Sequence, residues 1–219
     1  MKLTDLRGIL QYIPQFRERT FVISVDGAIV TNESFGNILM DVAVLRSLNI
    51  RVVLVHGASA QIQSLAEQQG VTASNLDGSG LTDEVTLKLA LTAANRLTHE
   101  MLEGLSAYDL RAACSNAIIA HPLGIIHGVD HLFTGKVERV DVELCQKLLD
   151  NGIIPVLPPL GFDGDGKTYR VNSDSVAVAV AEALKATKLM FITAQDGILV
   201  GDHVIRQIGV SKLELLECS

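Results

Sequence analysis

A short apolar run, closed by a glycine turn and followed by an amphipathic stretch, recurs along this chain and limits it to few architectures. Phe21-Val-Ile-Ser-Val25 ends at Asp26-Gly27, which reads as a buried strand stopped by a turn. Asn32 stands where a helix cap is expected. Phe35, Ile38, Leu39, Val42 and Leu45 then recur at spacings of three and four, so they line one helical face. Arg51-Val-Val-Leu-Val-His56 is a second such run, stopped by Gly57, and a helix is expected over 61–69, ended by Gly70. This β-α-β-α order is the signature of a parallel sheet covered by helices.

The pattern continues. A long helix is expected over 83–105, strands over 117–120 and 153–157, and a helix over 142–149 between them. Asp174 stands where it can cap a helix reaching 186. Residues 188–193 read as a last central strand, Asp196-Gly197 as a turn, and 202–206 as one arm of a small hairpin. Parallel α/β sheets bind ligands at the carboxyl ends of their strands. Residues 24–27, 56–60 and 193–197 therefore matter most.

Composition excludes several classes. Of 219 residues, 48% are hydrophobic, enough for a substantial core. No apolar run reaches the roughly 18 residues of a membrane span, and Met1-Lys2-Leu3-Thr4-Asp5 lacks the apolar stretch of a signal peptide. A net charge of −7 argues against a nucleic-acid binder, which needs a basic face. Cys114, Cys145 and Cys218 are distant and odd in number, so neither a disulfide framework nor a metal site is expected. That usage fits a reducing, cytoplasmic compartment. Cys114 reads as buried and inert. His121, His127 and His131 match no zinc spacing and read as loop or core residues. Asp163-Gly-Asp-Gly-Lys167 lacks the closing glutamate of a calcium loop and reads as a hairpin turn.

Several ordered segments carry a resemblance. They are Tyr12-Ile-Pro-Gln-Phe16, Thr20-Phe-Val-Ile-Ser24-Val-Asp26-Gly27, Val53-Leu-Val-His56-Gly57-Ala58-Ser59-Ala60-Gln61-Ile62, Asp150-Asn-Gly152-Ile-Ile-Pro155, Tyr169-Arg170-Val-Asn172-Ser-Asp174 and Ile192-Thr-Ala-Gln-Asp196-Gly197. Together the chain resembles the amino-acid kinase family, and within it the acetylglutamate kinases and the kinase-like N-terminal domain of bacterial N-acetylglutamate synthases. The resemblance implies a three-layer α/β sandwich with a mainly parallel sheet. It also implies an N-terminal helical segment over 1–20 and a kinase-like domain over 21–219, incomplete at its C-terminus, where the family's second lysine and Gly-rich arginine segment would follow.

Measured against that resemblance, most groups for phosphoryl transfer are replaced. Ser24 stands where the kinases place a lysine in the first strand, and Asp26 stands for the first of a glycine pair completed by Gly27. Phosphoryl transfer depends on cations placed against developing charge, and losing a single preorganised donor costs about 2.7–4 kcal/mol. The kinases' His-Gly-Gly-Gly is His56-Gly57-Ala58-Ser59 here, and each added Cβ narrows the room for backbone approach to an oxyanion. Ser59 can hold an anion at the helix N-terminus or simply complete a strand-to-helix turn. Gly80 stands where the kinases hold the substrate carboxylate with arginine, and Arg170 stands two residues before Asn172, where they have an asparagine. Asp174 matches an aspartate that organises the catalytic lysines, and a helix cap is its plainer role.

The resemblance thus implies a phosphotransfer-inactive, arginine-binding regulatory domain of an N-acetylglutamate synthase. The synthase-like stretch Gly128-Val129-Asp130…Gly135-Lys136 points to the same branch. Its implied ligand is L-arginine or N-acetylglutamate, with acetyl-CoA used in a different domain. Two other functions stay open. One is an acetylglutamate kinase using ATP and Mg with relocated cations at Lys136, Lys167 or Arg170; the other is a structural oligomerisation module. Tyr12 and Phe16 fit a helix that pairs between subunits in arginine-sensitive members, making a homo-oligomer, or one that packs on its own domain.

Overall fold

The structure, a computed structural model, describes residues 13–194, 197, 199–200 and 203–204. The chain opens with α1 (Ile13–Phe16), β1 (Thr20–Val25), α2 (Gly27–Val30), α3 (Phe35–Ser47), β2 (Arg51–His56), α4 (Ser59–Gln69) and the long α5 (Glu84–Ala107). A β-rich middle follows, with β3 (Ala112–Cys114), β4 (Ile118–Pro122), β5 (Ile125–Ile126), β6 (Val129–Asp130) and β7 (Gly135–Val140). The chain then runs through α6 (Val142–Asp150), β8 (Ile154–Leu157), β9 (Leu160–Phe162), β10 (Thr168–Arg170), α7 (Ser173–Ala183) and β11 (Lys188–Ile192) to the hairpin of β12 (Leu199–Val200) and β13 (His203–Val204).

The central sheet has the order β11-β1-β2-β8-β3, and every pairing in it is parallel. Its inner strands are mostly apolar because both faces are covered. Alternation sorts their side chains between two cores. Ile23, Val25, Val52, Leu54, Ile154 and Val156 pack with α3, α4 and α5. Val22, Val53, Val55 and Leu157 pack with α6 and α7. The result is a three-layer sandwich. A second sheet, β10-β9-β4-β7, lies on the α7 side and adds Ile118, Ala120, Val140 and Tyr169 to that core.

The helical faces follow the sequence pattern. Phe35, Leu39 and Val42 are buried, with Ile38 and Leu45 packed against them. Asp83 caps α5 by accepting from Thr86 N at 2.7 Å, and Asp141 caps α6 from Leu144 N at 2.9 Å. Gly70 ends α4 at φ 65°, the left-handed region that a Cβ disfavours. The 163–167 stretch is the β9–β10 turn, with Asp163 Oδ1 accepting from Asp165 N and Lys167 N.

Several expectations need correction. Asn32 does not cap α3; its Oδ1 accepts from Ser34 N at 2.9 Å and shapes the preceding turn. The strand expected over 117–120 is present as β4, in the second sheet, while the fifth place in the central sheet goes to Ala112–Cys114, which the sequence pattern did not anticipate. β11 lies at the edge of the described sheet, not at its centre. Cys114 is exposed, whereas Cys145 is buried and its thiol is pushed up to about 11 by burial and then by Asp141. Asp174 is not the cap of α7; Asn172 is, accepting from Ser175 N at 3.0 Å. The turn at Asp196 lies outside the described residues. No described helix is long and apolar enough to cross a membrane.

Candidate functional site

The carboxyl ends of β1, β2 and β11 and the N-termini of α4 and α7 converge on a cleft of about 170 Å³. Its lining includes Ser24, Asp26, Gly57, Ser59, Asp77 and Asp174. Ser24, Gly57, Ser59, Asn172 and Asp174, expected from sequence, are thus brought together. Asp77 was not expected there. It enters on the 75–82 loop, and only its place in a turn-rich Asn-Leu-Asp-Gly-Ser-Gly stretch hints at a shaped loop.

Close packing fixes the first loop. A Cβ on Gly27 would lie 2.7 Å from the Gly57 carbonyl oxygen and 2.4 Å from Gln61 Oε1. Gln61 Nε2 donates to the Gly27 carbonyl at 2.7 Å. Gly27 is therefore required by the contact between the β1 and β2 loops rather than by approach to a ligand. Asp26 Oδ1 accepts from Ala28 N at 3.1 Å and so caps α2. Ala58, the N-cap of α4, makes no side-chain cap bond, so Ser59 begins a helix whose first amides lack a side-chain acceptor at the cap.

A buried polar knot fixes the loop that delivers Asp77. Arg170 is 2% exposed. Its guanidinium donates to the Asn75 carbonyl at 2.7 Å and to the Leu76 carbonyl. Asn75 Nδ2 in turn donates to Gly80 O, Leu81 O and Thr82 Oγ1 at 3.1, 2.9 and 3.0 Å. Asn172 Nδ2 donates to the Asp77 carbonyl at 3.1 Å. Gly80 and Arg170 are thus parts of the loop's support. Burial lowers the Arg170 guanidinium to about 10, opposed by nearby Asp77.

The cleft is electrostatically one-sided. Three aspartates line it, and no lysine or arginine is among its described lining residues. Asp174 is held above the usual carboxylate range by burial and then by repulsion from Asp26. Asp77 is held below it, chiefly by the Ser79 amide. The cations considered for relocation are elsewhere. Lys167 lies 5.1 Å from the Phe133 ring centroid and 5.3 Å from that of Tyr169. Lys136 lines a separate cavity of about 340 Å³ with Ser79, Asn172 and Ser175. These donors do not fit a triphosphate, whose charge the three carboxylates would repel.

Phe16 packs on its own domain, its ring edge-on to Phe21 at 5.5 Å with Lys188 Nζ 5.3 Å away. Tyr12 lies outside the described residues. No group of three or more His, Cys, Asp or Glu among the described residues is arranged to hold a metal ion.

With this geometry in view, the chain matches the family model for the amino acid kinase family over residues 19–217. It is 36% identical over 197 residues to an amino-acid acetyltransferase of Vibrio cholerae, covering 86% of this chain and 44% of that protein. It is 35% identical over 208 residues to the one from Mannheimia succiniciproducens, covering 91% and 47%. Among solved structures, N-acetylglutamate synthase from Neisseria gonorrhoeae complexed with coenzyme A and N-acetyl-glutamate superposes with a TM-score of 0.85 at 31% identity, over 94% of this chain and 48% of that one. Its complex with coenzyme A and L-arginine gives 0.82 at 30% identity, over 92% and 50%. An isopentenyl phosphate kinase, at TM-score 0.57 and 16% identity over 82% of this chain and 73% of that one, shares the fold. The chain spans about half the length of the acetyltransferases it matches.

Proposed function

The chain belongs to the amino acid kinase family, and on that premise we propose that it is the kinase-like regulatory domain of an amino-acid N-acetyltransferase, an N-acetylglutamate synthase of arginine biosynthesis, and does not transfer phosphate. The observation that carries this reading is the charge of the cleft: Ser24 stands where a lysine would be needed, Asp26 and Asp77 add carboxylates beside Asp174, and no described lysine or arginine lines it. Electrostatic stabilisation is the main resource of phosphoryl transfer, and here its sign is reversed.

The proposed ligand is L-arginine, with N-acetylglutamate the other candidate; a Neisseria relative is described in complex with each. Acetyl-CoA belongs to a different domain of the parent protein. The proposed kinase-like domain runs over 21–219 behind a helical segment over 1–20, with Tyr12 serving a homo-oligomer in the cytoplasm and Phe16 anchoring the segment on its own domain. Incubation with MgATP and N-acetylglutamate should release no ADP, and L-arginine should give a saturable heat in calorimetry. ADP release that depends on acetylglutamate would replace this reading with an acetylglutamate kinase. Silence toward arginine, acetylglutamate and nucleotide alike would leave an oligomerisation module.

A further inference from the structure

Large apolar side chains stand in water at several places on this chain, and at one of them they cluster. Of the twelve exposed ones among the described residues, Ile125, Ile126, Val129 and Leu132 all fall within 125–132. Ile125 is 73% exposed, the most of the twelve. Scattered exposure is ordinary, whereas a cluster marks a contact surface.

The cluster stands on a preformed knob. β5 and β6 pair only with each other. His127 and Gly128 between them have φ 49° and 79°, the two left-handed residues of a type I′ hairpin turn. Ile126 is opposite Val129 and Ile125 is opposite Asp130, so the two pairs lie on opposite faces. Both faces are exposed. The hairpin therefore projects from the domain, and such a knob suits a groove better than a flat surface.

The size of the knob decides what it meets. Four apolar side chains fall far short of the roughly 20–30 residues a side of a stable interface between free chains. A second copy of this chain is therefore a poor occupant. A contact this small holds where tethering has already raised the partner's local concentration. The acetyltransferases that match this chain offer such a partner, since the match covers only 44% and 47% of their lengths.

The base of the hairpin is tied to the loop that delivers Asp77. Phe133 N donates to Thr82 O at 3.1 Å, Thr82 N donates to His131 O at 3.4 Å, and His131 N closes the hairpin on Gly124 O at 3.0 Å. Thr82 ends that loop and is buried. A partner seated on the hairpin is thus one buried bridge away from the loop that enters the cleft.

We propose that the 124–132 hairpin docks into an apolar groove on the acetyltransferase half of the parent protein. The inference rests on the reading of this chain as the regulatory domain of such a protein, and it names the surface by which that domain meets its partner.

The test is hydrogen exchange over 124–132, measured in the 219-residue chain and in the parent protein that carries it. Exchange should be at least about tenfold slower in the parent. Ile125→Asp puts a charge on the knob and should restore the fast rate there, while the 219-residue chain melts as before because that side chain is already in water. Equal exchange in the two forms overturns the proposal, and so does slow exchange in the parent that Ile125→Asp leaves untouched. Exchange that slows as the concentration of the 219-residue chain rises gives the knob to a second copy and also overturns it. Formation of N-acetylglutamate from acetyl-CoA and glutamate by the parent separates the two levels of the argument. A parent that forms none overturns the regulatory reading and this inference with it. One that forms it with an unprotected hairpin overturns this inference alone.

Discussion

Arg170 and Asn75 are 95 residues apart in sequence, and the guanidinium Nη1 of one lies 2.7 Å from the main-chain oxygen of the other. Through this contact β10 holds the loop whose Asp77 enters the cleft. Arg170→Met removes the donors and leaves two loop carbonyls without them. It should cost about 1–2 kcal/mol, at the lower end of the 1–3 kcal/mol for each unsatisfied buried group, because Leu76 is exposed and water can meet its carbonyl. Arg170→Lys should recover only part, since an ammonium lacks the fork that serves both carbonyls. Urea unfolding reads the loss, and faster hydrogen exchange at Gly78 and Ser79 would locate it in the loop. Wild-type stability in Arg170→Met would remove the knot from the account.

His56 links the β2 loop to α5. Its Nε2 lies 2.8 Å from Thr98 Oγ1 and its Nδ1 3.1 Å from the Gly57 carbonyl. The ring is 0% exposed, and burial lowers it to about 4, outweighing the carbonyl that favours protonation. The unfolded chain, with its histidine near 6.5, therefore binds a proton that the folded one refuses. Stability from this group is full above pH 6.5 and declines as pH falls toward 4, by about 3 kcal/mol in all. Urea midpoints between pH 7 and 5, above most carboxylate titrations, should fall in the wild type and hold nearly level in His56→Gln. Equal slopes in the two would mean the ring is not sealed.

Two glycines in the second sheet are set by contact rather than by dihedral angle. A Cβ on Gly161 would lie 2.5 Å from Ala120 Cβ, and one on Gly135 would lie 2.6 Å from Tyr169 Cβ. Gly161→Ala and Gly135→Ala should each cost about 1–3 kcal/mol by overpacking. Gly164→Ala, with nothing within 4 Å, is the control and should change little. Thermal melts of the three variants decide the matter, and a Gly161→Ala melt like the control's would contradict the packing.

The contrast between strands explains what the sequence revealed. Val52 to Val55 are apolar because both faces of β2 are covered, so the run is visible without its partners. β3 is Ala-Ala-Cys, three small residues at a sheet edge, and carries no such signal. The strands of the second sheet were partly legible for a related reason. Gly135-Lys-Val-Glu-Arg-Val140 alternates buried and exposed positions imperfectly and reads as a motif before it reads as a strand. In the site, Ser24, Gly57 and Ser59 were found because they close strands or open helices, which sequence order places at the ligand-binding edge. Asp77 was not, because the tie that brings it in comes from Arg170, and no local pattern announces a partner so distant. Asp174 and Asn172 are both plausible caps two residues apart, and only the contact of Asn172 Oδ1 with Ser175 N separates them.

The charge reversal in the cleft can itself be undone. Asp26→Gly removes one carboxylate, and Ser24→Lys puts a cation at the end of β1 in the cleft that Asp174 also lines. Unit charges about 4 Å apart interact by roughly 4 kcal/mol at an effective dielectric near 20, so the double variant should favour phosphate strongly even after desolvation is discounted. Losing the α2 cap to glycine costs only a few tenths of a kcal/mol, and the fold should persist. MgATP should therefore be silent in calorimetry with the wild-type chain and bind the double variant at least about tenfold more tightly. Phosphate transfer to N-acetylglutamate should still be absent, because Gly80 supplies no charge for the acceptor carboxylate and Arg170 remains tied to Asn75. MgATP binding equal in wild type and variant would show that the three aspartates do not set the character of the cleft.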